Sequence, residues 1–87
     1  MFDDWDEEFD EEGACLELRR RADEIALSIV DGEYAPIDIV IRIRRLKEFV
    51  ARFLPGRVAL FRMIYENRFR RLWDQFRLRR DGPLPEW

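Results

Sequence analysis

The chain of 87 residues contains no histidine and no threonine, and one each of serine, asparagine, glutamine and lysine. Without histidine there is no imidazole base, no Ser-His or Cys-His nucleophile and no imidazole metal ligand. The lone cysteine, Cys15, cannot close an internal disulfide and suits a reducing compartment. The four glycines stand apart at 13, 32, 56 and 82, so no phosphate-cradling loop is present. No apolar run approaches the ~18 residues needed to span a bilayer. The N-terminus is acidic where a secretory leader would be basic, so the expected location is cytoplasmic. The stretch Asp4-Trp5-Asp6-Glu7-Glu8-Phe9 lacks the central glycine of a calcium loop. The expectation is therefore a protein without catalytic residues, metal, cofactor or small-molecule substrate.

The scarcity of turn and capping residues also argues for long helices and few loops. A chain this short makes one domain and buries only about 60–65% of its unfolded surface. Its twelve aromatic residues help to compensate, because each can bury a large area.

The most pronounced feature present is charge segregation. The first twelve residues carry eight acids and no base, whereas residues 42–80 carry thirteen bases and three acids. The formal net charge of −3 thus conceals two opposed blocks. Fifteen of the sixteen bases are Arg, which forks onto carboxylates and phosphates and stacks on aromatic planes.

Periodicity predicts an all-α fold: three helices over 14–31, 36–54 and 57–80, the last two a hairpin, preceded by a disordered acidic tail. The tail, residues 1–13, and the helical domain, residues 14–87, are separated at Gly13. On the first helix Ala14, Cys15, Leu18, Ala22, Ile25 and Ile29 share a face. Glu17/Arg21, Arg19/Asp23 and Arg20/Glu24 are opposite charges four apart. Asp31-Gly32 is a stop signal, with Gly32 as a left-handed cap. Pro36 opens the second helix, where its missing N–H costs nothing. Ile39, Ile43, Leu46, Val50, Phe53 and Leu54 make its apolar face. Ile37–Ile43 also alternates like a strand. A strand there followed by two helices resembles the element order of ribbon-helix-helix DNA-binding proteins, a likeness that leaves out the first helix and the tail. Leu54-Pro55-Gly56 breaks the chain. On the third helix Val58, Phe61, Tyr65, Phe69, Leu72, Trp73 and Phe76 share a face, and Arg62, Glu66, Arg70 and Asp74 form a charge ladder. Phe53, Phe61, Tyr65, Leu72 and Phe76 are the expected core.

Three surfaces are candidates for function. Arg57, Arg71, Arg79 and Arg80 remain after the helical charge ladders are satisfied, and together with Arg42 and Arg45 would contact an anion or nucleic acid. An ordinary solvated Arg face explains the same pattern. In the tail, Phe2, Trp5 and Phe9 are spaced three and four apart among acids. Such a segment docks into a partner's groove, stays solvated, or folds back on the basic helices as an internal mimic of an anionic ligand. Finally, Leu16, Leu27, Val30, Ile37, Ile41, Leu60, Met63 and Ile64 lie off the main faces and form a second apolar patch. That patch predicts a homo-oligomer or a permanent protein partner. The reading is a non-catalytic helical interaction protein, an adaptor or subunit. The alternative is a nucleic-acid-binding accessory protein whose acidic tail masks its arginines.

Overall fold

A computed structural model describes residues 9–87, and among them every regular element is helical. Helix α1 spans Glu11–Asp31 and α2 spans Pro36–Phe53. A 3₁₀ turn at Pro55–Arg57 leads into α3, Val58–Phe61. A π-helical turn at Arg62–Glu66 joins α3 to α4, Asn67–Phe76, and the short α5 covers Leu78–Asp81.

α1 begins earlier than its apolar stripe. Asp10 caps it, accepting a hydrogen bond from the Gly13 N–H at 2.7 Å, and Glu11 and Glu12 favour the positive end of the helix dipole. Gly13, where the sequence placed the border between tail and helical domain, is therefore inside the helix. At the other end Gly32 takes φ 80° as a left-handed cap. Pro36 occupies the first turn of α2 as expected. The alternative strand at 37–42, and the ribbon-helix-helix order with it, is overturned: residues 36–53 are continuous helix. Burying Ile39, Val40, Ile43, Leu46, Phe49 and Val50 on one side of a helix outweighs the β preference of the branched residues. Leu54, ahead of Pro55, leaves the α region with φ −136° and ψ 54°.

The third predicted helix is one rod with two irregularities. The π turn adds a residue and rotates the face, so the buried positions run Phe61, Glu66, Phe69, Trp73 and Arg77. Val58 and Phe76, expected on the main face, are exposed, while Tyr65 and Leu72 are half-buried. Phe53 is also half-buried, and Phe49 takes the core position instead. Cys15 is half-buried beside the core rather than within it.

α1 is the central element, packed against both α2 and α4. The short link at 32–35 makes α1 and α2 antiparallel. α1 and the third rod run parallel: Glu11 pairs with Arg57, Asp23 with Arg68 at 3.7 Å, and the Ile29 and Gly32 carbonyls accept from Arg77 and Arg80. Residue n of α1 is thus level with a residue 45–48 positions further on. The core draws Ala14, Leu18, Ala22, Ile25 and Ile29 from α1, joined by Phe61, Phe69 and Trp73. Beyond α5, Leu84 and Trp87 fold back over this core.

Candidate functional site

All eight residues of the expected second apolar patch are exposed, from 44% for Val30, Ile41 and Leu60 to 69% for Leu27. The core beneath them is filled without their help. Two helices share most of this surface. On α1, Leu16, Asp23, Leu27 and Val30 fall within ~60° of one another at 100° per residue. On the third rod, Ile64, Arg68, Leu72 and Phe76 are four apart. A groove of about 370 Å³ runs between them, lined by Asp23, Ala26, Leu27, Val30, Arg68 and Leu72. The Asp23–Arg68 pair lines this groove, with side chains 56% and 48% exposed. Asp23 was expected to pair with Arg19 on its own helix; Arg68 takes it instead across the groove. Ile37 and Ile41 lie apart on α2, and Ile41 lines a second groove with Tyr34, Arg42 and Arg45. Phe76, outside the expected patch, extends it, being 47% exposed.

The six candidate arginines do not gather. Arg57 pairs with Glu11 at the start of α1, and its guanidinium is pushed above the ordinary value by that hydrogen bond and charge. Arg80 donates to the Gly32 carbonyl at 2.8 Å and to Asp81 at 3.0 Å, at the far end of α1. Those ends are about 30 Å apart at 1.5 Å per residue. Arg42 lies over the Tyr34 ring, 4.5 Å from its centroid. Arg45, Arg71 and Arg79 make no ion pair among the described residues. Two of the six thus already have partners within the fold, although their side chains stay 45% and 59% exposed.

Arg77, beside Phe76 and absent from the predicted core, is 2% exposed. Its Nε donates to Asp81 Oδ2 at 2.7 Å, Nη1 to the Ile29 carbonyl at 3.4 Å, and Nη2 to the Tyr34 carbonyl. Its plane lies 4.7 Å from the Trp73 ring centroid. α1 has no base in its own last turn, so Arg77 and Arg80 supply that charge from another helix. Hydrogen bonds from Arg80 and then Arg77 hold the Asp81 carboxyl below its ordinary value. The sequence did carry the signal: Phe69, Trp73 and Arg77 are four apart on one stripe.

Glu66 is the other buried charge. The Trp87 indole N–H donates to its Oε1 at 2.9 Å, and Arg62 lies 3.8 Å from Oε2, as the charge ladder predicted. Arg70, the next rung, stacks over the Trp87 ring at 4.4 Å instead. On α1, Glu17 accepts from Arg20 and Arg21 at 2.6 and 2.7 Å. The Arg20 hydrogen bond is the chief cause that brings Glu17 down to about 2; desolvation opposes it and the Arg21 bond adds to it.

Of the tail residues, Phe2 and Trp5 lie outside the described residues. Phe9 packs edge-on against Phe49 and Phe53, with centroids 5.5 and 5.2 Å away. The chain therefore enters α1 from over the C-terminal half of α2. No described helix is long and apolar enough to cross a membrane. No family model matches the chain, and neither the curated proteins nor the solved structures contain a match to it.

Proposed function

We propose that this chain is a non-catalytic helical interaction module, an adaptor or a subunit of a larger assembly. The observation that carries the proposal is the set of exposed apolar residues on α1 and the third rod. Leu16, Leu27, Val30, Ile64 and Phe76 remain 44–69% exposed although the domain already has a filled core. Exposed apolar surface of this kind marks contact sites in soluble domains. The groove between the two helices brings Leu27, Val30 and Leu72 together, and Asp23 and Arg68 in its lining give a contact there register as well as area.

The test is capture of partners by the full chain from its host after nuclease treatment, with washes of rising salt. A partner held through the stripe survives both treatments and is lost with Leu27→Glu. Loss of every partner on nuclease treatment would sink the reading. A second reading, contact with nucleic acid, draws on Arg45, Arg71 and Arg79, which have no ion-pair partner among the described residues. Phosphate contacts through these side chains would weaken steeply with salt, whereas an apolar interface would not.

A further inference from the structure

The parallel arrangement of α1 and the third rod has a consequence for what covers the stripe. Residues at one height along the two helices differ by 45–48 in number, as the Asp23–Arg68 and Arg77–Ile29 contacts show. On this count Asp23 is level with Arg68, Leu27 with Leu72, and Val30 with Phe76. Each level therefore pairs like with like in polarity, and the charged level has opposite signs on the two helices.

We propose that the stripe is occupied by a second copy of this chain, related by a two-fold axis that runs along the helices between α1 and α4. This rests on the interaction-module reading and specifies its partner. A two-fold in that direction lays α1 of one copy over α4 of the other without changing height. Leu27 then meets the other copy's Leu72, Val30 meets its Phe76, and Asp23 meets its Arg68. The four charges form a square of alternating sign, and the apolar residues beside them exclude water. A two-fold crossing the helices at right angles at the height of Asp23 would instead stack Asp23 on Asp23 and Arg68 on Arg68, and like charges in direct opposition disfavour it. The surface is isologous, because each copy contributes both helices.

The size of the contact sets its strength. Leu16 to Val30 is about 21 Å of helix, and two helices side by side are about 20 Å wide. A face of about 400 Å² is small beside the ~800 Å² per partner of a standard stable interface. The dimer is accordingly concentration-dependent, forming in the micromolar range.

The test is sedimentation equilibrium on the full chain, with helicity checked by circular dichroism. Asp23→Arg and Arg68→Asp alter one exposed ion pair and leave the core untouched, so both variants fold. Each alone places like charges across the interface and is expected to sediment as a monomer where the wild type is dimeric. Mixing the two in equal amounts pairs Arg with Asp at every contact and is expected to restore the dimer. Leu27→Glu, at a residue 69% exposed, is expected to abolish it without rescue by mixing. A wild type that stays monomeric throughout the micromolar range overturns the proposal. So do charge variants that remain dimeric, or a mixture that fails to reassociate. A monomer that still retains a host protein through Leu27 would overturn this pairing and leave the interaction-module reading standing.

Discussion

Replacing Arg77 by Ala removes a buried guanidinium from the junction of α1, the 32–35 link and α5. The carbonyls of Ile29 and Tyr34 lose this donor, and Asp81 Oδ2 is left with Arg80 alone. A hydrogen bond from a charged donor contributes about 1.5–3 kcal/mol, and a buried acceptor left without a partner costs about 1–3 kcal/mol. The Ile29 contact is long at 3.4 Å and counts for least. Asp81 is partly exposed and recovers some solvation from water. The stacking on Trp73 is lost as well, and a cavity takes its place. Breaking a buried charged network of this kind costs about 3–5 kcal/mol. An 87-residue domain at 0.05–0.15 kcal/mol per residue has roughly 4–13 kcal/mol in all. The assay is urea unfolding followed by helical circular dichroism. With a slope of about 1–1.5 kcal/mol per molar, the Arg77→Ala midpoint falls by about 2–4 M, or the chain does not fold. Arg77→Lys keeps the charge but loses the planar fork, and falls in between. Arg79→Ala, two residues along and exposed, stays within about 0.5 kcal/mol of wild type. A loss below about 1 kcal/mol for Arg77→Ala would refute the buried clamp and return Arg77 to the solvated face.

Three further outcomes follow from the same geometry. Phe61→Ala is expected to cost about 3–5 kcal/mol and Phe76→Ala less than about 1, because only the first ring is buried; equal losses by thermal melting would mean the π turn does not rotate the face. Glu17, at about 2 when folded, and Asp81, also lowered, both stabilise the fold fully above their unfolded values near 4 and lose that contribution as pH falls below them. Melting temperature should therefore drop between about pH 4.5 and 2, less steeply in Glu17→Gln; an unchanged slope in that variant would exclude the Arg20 and Arg21 contacts as its source. Deleting residues 1–8 removes five acids and no base while keeping the Asp10 cap and the Glu11–Arg57 pair. If the tail masks the arginines, the shortened chain binds an oligonucleotide more tightly at low salt, and equal binding in a titration removes the masking idea.

Much of this fold was legible because local rules carried it. The Gly32 cap, the Pro36 start and the Leu54-Pro55 break follow from backbone sterics that neighbours cannot alter. The α1 stripe of Ala14, Leu18, Ala22, Ile25 and Ile29 was buried as its spacing predicted, and the surplus apolar residues stayed exposed. What failed did so for tertiary reasons. A helical wheel assumes a constant 3.6 residues per turn, and the π turn at 62–66 breaks that assumption. Glu66 joins the buried positions there, and the stripe through Phe69 and Trp73 continues four residues on to Arg77, leaving Phe76 outside. Charge ladders count partners only along one helix. They could not see that Asp23 faces Arg68, that Glu11 holds Arg57, or that the unprotected end of α1 draws in Arg77 and Arg80.

That the chain is helical, where its helices stop and that it carries more apolar surface than one core needs are local properties, set by residues a few positions apart. Which arginine is buried in the fold and which apolar residues flank one groove come instead from how the helices pack. Both depend on α1 and α4 lying parallel, and that alignment brings together side chains about 45 positions apart, beyond the reach of any local rule.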